Sequence, residues 1–229
     1  MRVDLYDDGI GFVELVDKMG TDLTIVNSAR VSFAKHKESL DAKDEKLINY
    51  LVKHKHTSTF EHNLATFRMK VPLFVRSQHH RHRTWAYNEI SRRYTDFNIE
   101  FYEPKSFRKQ SKSNRQASDA DTSFDPHMPA KTLSVLASYK VRDHHRESLE
   151  LYNKLMESGV CREQARGVLP QNMYTEYYGT VNLNNLLKFI SLRIHEGAQW
   201  EIQELAKGML KIIEGLWPVA VKAFKEKEN

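Results

Sequence analysis

The sequence predicts an α+β fold, with a central mostly antiparallel sheet flanked by helices, and three observations carry that expectation. Residues 41–54 place Leu47, Ile48, Leu51 and Val52 on one face of a helix. Residues 63–71 then change period: Ala65, Phe67, Met69 and Val71 alternate with Thr66, Arg68 and Lys70, as in a half-buried strand. The C-terminal half reads as successive helices interrupted by an aromatic, strand-forming stretch, MYTEYYGTV at 173–181.

The remaining elements follow in order. A short strand is expected around Val3 to Tyr6. Pro72 has no N–H to lose and a φ already set for helix, so it suits the first position of a helix running to about His82. The polar and aromatic stretch from Thr84 to Tyr94 is expected as an ordered loop. Residues 105–128, rich in Lys, Ser, Asn and Asp, are expected as a long excursion or flap. A long helix is expected over 130–158, stopped near Gly159, then a short helical piece at 161–168 closed by Pro170. Asn182 can cap a helix over 183–195. Further helices are expected over about 199–215 and from Pro218 onward. No Pro/Gly/Ser-rich linker divides the 229 residues, so 1–229 is expected to form a single domain.

Composition bounds the function. Hydrophobic residues are 40% and aromatics 10%, enough for a packed core and against disorder. The net charge of +5 and the pI of about 9.1 fit nucleic acid or small ligands carrying several phosphates or carboxylates. Cys161 is the only cysteine, which excludes an internal disulfide and a Cys-rich zinc site; it is expected as a small buried hydrophobe. The first residues lack a signal-peptide pattern and no apolar run approaches a membrane span. A soluble, cytoplasmic protein is expected.

Several nucleotide-binding devices are missing. There is no GxxxxGK[ST], and the glycines at 9 and 11 lack a third at dinucleotide spacing. Nor is there a GxSxG elbow or an HExxH zinc motif. A nucleotide must then be held by side chains and helix ends. The stretch Arg81 to Arg93, RHRTWAYNEISRR, supplies them: four arginines with His82, Asn88, Glu89 and Ser91. Arginine's planar fork donates two parallel hydrogen bonds to phosphate and stays charged. Ser91 can add a hydroxyl, and its turn backbone N–H groups. Gln78 and Arg81 lie three apart on the preceding helix and share a face. Trp85 and Tyr87 inside the stretch call for burial, against a bare solvated loop. His79, His80 and His82 sit among arginines, which repels a metal ion, and none is expected. His144 and His145 are expected as solvated helix residues.

Arg81-His82-Arg83, seven residues and then Ser91 form the RHRx7S signature of the flavin-dependent thymidylate synthases, and the chain resembles that family along nearly its whole length. Further blocks stand in family order: HTSTFEHNLATF (56–67), VPLFVRSQHHRHR (71–83), FYEPKSFRKQSKSNRQ (101–116), EQARGVLPQNMYTEYYGTVNLNNLLKFISLR (163–193) and AQWEIQ (198–203).

The resemblance implies conversion of dUMP to dTMP, with 5,10-methylenetetrahydrofolate as one-carbon donor and NADPH as reductant through FAD. It implies no cysteine nucleophile, no nucleic-acid or membrane partner, and a homotetramer whose active sites are shared between chains. FAD contacts would fall on Ser58, Arg81, His82, Arg83 and Glu89, and on Asn182, Leu183, Asn184 and Lys188. Contacts to dUMP would fall on Gln78, His79, His80 and Arg81, on Glu89, Ile90, Ser91, Arg92 and Arg93, and on Arg166 and Arg193. Arg193 matches the arginine facing the pyrimidine, where it would stabilise negative charge on the ring. Ser91 and His56 join it as catalytic candidates. Two positions depart from the family pattern: Gly197 where a histidine is common, and Asn184 where an arginine is common. Lys188, four residues on, is a candidate replacement for that charge. The non-enzyme alternative is an RNA- or single-stranded-DNA-binding module that uses the RHR stretch as a phosphate patch.

Overall fold

The structure, a computed structural model, describes residues 1–129 and 134–228, the side chains of 120–123 excepted. The elements run β1 (Arg2–Asp4), β2 (Phe12–Met19), α1 (Asp22–Arg30), α2 (Ala42–Lys53), β3 (Leu64–Pro72), α3 (Leu73–His79) and β4 (Ala86–Glu89). They continue with β5 (Phe107–Gln110), β6 (Ser118–Phe124), β7 (His127–Met128), β8 (Val135–Leu136), α4 (Ala137–Glu157) and α5 (Arg162–Ala165). The chain closes with β9 (Tyr174–Asn182), α6 (Leu183–Ile194), α7 (Trp200–Glu214) and α8 (Pro218–Glu228). By internal contacts it divides into two compact units, one of residues 1–70, 79–88 and 177–229, the other of 71–78 and 89–176.

The first unit is built on a sheet of order β1-β2-β3-β9-β4, in which β2 pairs antiparallel with β1 and β3. The expected alternation holds in β3, where Ala65, Phe67, Met69 and Val71 are all buried. Helix α7 turns Ile202, Leu205, Met209 and Ile212 inward and packs on β1 and β2. Gly208 permits that approach, because a Cβ there would lie 2.8 Å from Val13 Cγ1. Helix α8 packs on α2, and its N-terminus is capped from afar: the Asp22 carboxylate accepts the N–H groups of Val219 and Ala220, each at 3.0 Å. Asn182 caps α6, accepting Asn185 N–H at 2.9 Å, as its sequence position predicts.

The second unit centres on Tyr152, Ala165, Leu169 and Met173, with Leu73, Phe101 and Leu149 packed against them. Backbone bonds from Leu73 N to Met173 O and from Tyr102 N to Asn172 O tie the start of α3 and the 99–102 segment to this core.

Five expectations are corrected. Thr84 to Tyr94 is not all loop, since Ala86–Glu89 forms β4. Its alternation of exposed Ala86 and Asn88 with half-buried Tyr87 and Glu89 is too short and too polar to register as a strand pattern. Pro72 ends β3 instead of opening α3, which begins at Leu73. The 105–128 excursion is ordered as the β5–β6 hairpin, in which Gln110 Nε2 donates to the carbonyls of Asn114, Arg115 and Ala117. Cys161 is exposed, because it precedes α5 as an N-cap and does not enter the core. His145 is buried and stacks on Phe101 at 4.8 Å, although His144 beside it is exposed. The long helix expected over 130–158 is present as Ala137–Glu157, and its expected start at 130–133 lies outside the described residues.

Candidate active site

The signature stretch changes unit at Glu89, so its two parts are built separately. In the first unit α3 ends at His79, and the chain turns back at once, with His82 N–H donating to His79 O at 3.0 Å. His79 is fully buried, with its ring edge-on to Trp85 at 4.4 Å and 4.7 Å from Phe189. Its Nδ1 lies 2.8 Å from the Tyr177 hydroxyl. Burial, and then the neighbouring His82, His80 and Arg193, push its pKa well below the ordinary histidine value, so the ring is neutral. Its side chain is therefore a core group and offers no surface to a nucleotide.

The turn is fastened from β4. Tyr87 Oη donates to His79 O at 3.0 Å and to His82 O at 3.2 Å, and burial raises its pKa, which keeps the phenol a donor. The Tyr87 ring lies parallel to Trp85 at 6.0 Å and 4.1 Å from the His80 ring. Gly179 on β9 leaves room for Trp85, since a Cβ there would lie 3.1 Å from its Cε3. The turn holds Arg81 and Arg83 at its surface, both exposed and without a side-chain hydrogen bond or ion pair to the described residues.

His82 faces α6. Its ring is edge-on to Phe189 at 4.9 Å, and its Nε2 accepts from Arg193 Nε at 3.1 Å. Phe189 and Arg193 are four residues apart on α6 and so share a face. The bond requires the His82 proton on Nδ1 and a neutral ring. Burial first, then the Arg193 charge, lowers the His82 pKa to about 4. Burial also lowers the pKa of Arg193.

The other first-unit candidates are more varied. Ser58 is exposed in a short 3-10 turn, and His56 is exposed just before it, edge-on to Tyr50 at 5.7 Å. Leu183 is fully buried and its N–H is given to Asn63 O, so its side chain cannot meet a cofactor. Asn184 is buried too, donating to Glu61 Oε1 at 2.9 Å. Lys188, one turn on, is exposed. At the other departure, Gly197, the backbone N–H donates to His195 Nδ1 at 3.0 Å.

In the second unit Glu89 is held by two side chains that sequence reading does not single out. Thr175 Oγ1 donates to its Oε1 at 2.6 Å, and Arg76 Nε lies 3.2 Å from the same oxygen. Ile90 is anchored through its N–H to Glu176 O. Ser91 begins a tight turn, its Oγ accepting Arg93 N–H at 3.2 Å and its carbonyl accepting the N–H groups of Tyr94 and Thr95. The two arginines that follow have opposite fates. Arg92 is 7% exposed and donates to the carbonyls of Phe97 at 2.7 Å and Asn98 at 3.1 Å. It closes its own loop. Arg93 is exposed, 3.6 Å from Glu163. Gln78 is half-buried at the base of α3 and Arg166 is exposed on a short 3-10 turn.

The candidates thus comprise exposed cations, Arg81 and Arg83 in the first unit and Arg93 and Arg166 in the second, and in the second unit a carboxylate, Glu89, able to accept hydrogen bonds. A family model described as thymidylate synthase complementing protein matches residues 14–219. The chain belongs to the flavin-dependent thymidylate synthase family. The flavin-dependent thymidylate synthase of Thermus thermophilus is 44% identical over 216 residues, 94% of this chain and 76% of that protein. The Thermotoga neapolitana enzyme of the same name is 41% identical over 224 residues, 98% of this chain and 94% of its own length. Among solved structures, the UMP/dUMP methylase PolB from Streptomyces cacaoi bound with 5-Br dUMP superposes with a TM-score of 0.80 at 32% identity. That match covers 98% of this chain and 97% of that one. Family membership agrees with the expectation carried by the RHRx7S blocks, and no comparison favours a nucleic-acid module.

Proposed function

We propose that the chain is an FAD-dependent thymidylate synthase that methylates dUMP to dTMP. In this reading 5,10-methylenetetrahydrofolate is the one-carbon donor and NADPH the reductant. The observation that carries it is the RHR turn, pinned through its carbonyls so that Arg81 and Arg83 are presented to solvent while His82 meets Arg193.

The donor set fits a dinucleotide. FAD carries a diphosphate, and Arg81, Arg83 and Lys188 are exposed cations of one unit. Ser58 and Asn182 add polar groups there. Asn184 and Leu183 are engaged in their own unit, so Lys188 is the better candidate for the charge that Asn184 lacks. When bound, the flavin supplies the redox chemistry, and the protein orients it and the nucleotide.

In this reading the phosphate would be met in the second unit by the exposed Arg93 and Arg166 and by the Ser91 hydroxyl, with Gln78 a further candidate. Glu89, with one oxygen held by Thr175 and Arg76, presents its carboxylate to a ligand donor. Arg193 is the residue proposed to face the pyrimidine, stabilising charge that builds on the ring oxygens. His56 is kept as a candidate near the flavin.

We further propose one functional domain, because the family match runs across both units. A homotetramer with shared sites is supported by large hydrophobics left in solvent: Phe33 is 74%, Tyr94 79% and Phe97 69% exposed. No helix among the described residues is long and apolar enough to cross a membrane, which accords with the cytoplasmic placement proposed here.

The first test is spectroscopic. The purified chain loaded with FAD should be yellow, and dUMP should perturb the flavin bands. A chain that takes up no FAD contradicts the proposal.

A further inference from the structure

We infer that Thr175 is a positioning residue for Glu89, aiming its carboxylate at a hydrogen-bond donor of dUMP; this rests on the active-site reading above. Both residues belong to the second unit, with Ser91, Arg93 and Arg166, the candidates for the dUMP phosphate. The contact between them is direct. Thr175 Oγ1 donates to Glu89 Oε1 at 2.6 Å, the length of a charge-assisted bond from a hydroxyl to a carboxylate. Arg76 Nε lies 3.2 Å from the same oxygen, as an ion pair that is out of line for a hydrogen bond. Arg76 thus balances the charge, and Thr175 supplies the directional bond. Among the described residues no side chain bonds Oε2, so that oxygen is the acceptor left for a ligand.

The two partners differ in freedom. Thr175 lies on β9, is 4% exposed and is β-branched, so its χ1 is stiff. Ile90 N–H donates to Glu176 O at 2.9 Å, which ties together the residues that follow the pair. Glu89 is half-buried at the end of β4, with a run of rotatable bonds between backbone and carboxylate. A directional donor on a stiff residue selects one carboxylate position among those the glutamate stem allows. Thr175→Val keeps the branched shape and removes that donor, and Thr175→Ser keeps the donor and removes the methyl.

A double-mutant cycle on the full-length, FAD-loaded chain tests this, with dissociation constants for dUMP from equilibrium dialysis, which needs no turnover. Thr175→Val should weaken dUMP binding about fivefold, the order of one hydrogen bond. Thr175→Ser should bind within about twofold of the wild type, a rescue expected if the hydroxyl and not the packing sets the affinity. In the Glu89→Ala background Thr175→Val should have no further effect, because the residue it positions is gone. Should Thr175→Val not fold, Thr175→Ala takes its place in the cycle; if neither folds, the hydroxyl is a requirement of the fold and the inference is overturned. Losses that multiply in the double variant would mean that Thr175 does not act through Glu89. A Thr175→Ser chain as weak as Thr175→Val would equally overturn the inference. Should the wild type hold no dUMP, or Glu89→Ala bind it as tightly as the wild type, the reading of the site fails and the inference falls with it. Should Glu89→Ala weaken dUMP binding while Thr175→Val does not, only the inference fails.

Discussion

The two parts of the RHRx7S stretch solve opposite problems. In the part from His79 to Asn88, the His79 and His82 rings are kept neutral chiefly by burial, two carbonyls are tied to a phenol, and Arg81 and Arg83 are left exposed. From Glu89 to Arg93 charges are held by partners: Glu89 by Arg76 and Thr175, Arg93 by Glu163, and Arg92 by two carbonyls. The lesson is that the number of arginines in a motif is not its anion-binding capacity. Arg92 is a structural cation, whereas Arg81, Arg83 and Arg93 keep a face toward solvent.

Substitutions can break this comparison at graded cost. The largest effect is expected from Arg193→Ala. It should lower dTMP formation by about 100- to 1000-fold, the range for removing one preorganised donor, while FAD stays bound. Near-normal turnover would remove its electrostatic role.

Arg92→Ala and Arg93→Ala should then separate. Arg92→Ala leaves two carbonyls without their donor and should cost about 1–3 kcal/mol, seen as a drop of several degrees in thermal midpoint. Arg93→Ala should leave the midpoint within about 1 °C, because exposed ion pairs contribute little, and should weaken dUMP binding. Equal midpoints would erase the distinction between the two arginines.

Ser91→Ala should be milder, weakening dUMP binding about fivefold through loss of one hydroxyl and its turn bond, with flavin binding unchanged. A dissociation constant equal to that of the wild type would take Ser91 out of the pocket.

The smallest effect is on the pH dependence of stability. The His82 pKa falls from an unfolded value of 6.5 to about 4 in the fold. Between those values the unfolded chain binds more protons, so this contribution is complete above pH 6.5 and is lost as pH falls toward 4. Urea unfolding at pH 7 and pH 5 should show a shallower loss for His82→Asn than for the wild type. Parallel losses would mean that His82 titrates normally in the fold.

Much of this was legible from residues alone where a period is long. The β3 alternation, the α2 face and the Asn182 cap each follow from a physical rule that tertiary context did not override. Strand β4 was hidden because it is short and carries polar residues in place of a hydrophobic stripe. The Asp22 cap on α8 and the Thr175 bond to Glu89 join residues far apart in sequence, and no local pattern encodes them. The resemblance supplies an inventory of candidate site residues, but not how each is held in the fold. Nothing in the letters separates Arg92 from Arg93, or shows His79 as a core ring.

The central claim is best tested by one assay: the purified chain with FAD, NADPH, 5,10-methylenetetrahydrofolate and dUMP, analysed for dTMP, with each component withheld in turn. The prediction is dTMP in the complete mixture and none when dUMP or the folate is withheld. A complete mixture that oxidises NADPH yet forms no dTMP would contradict it.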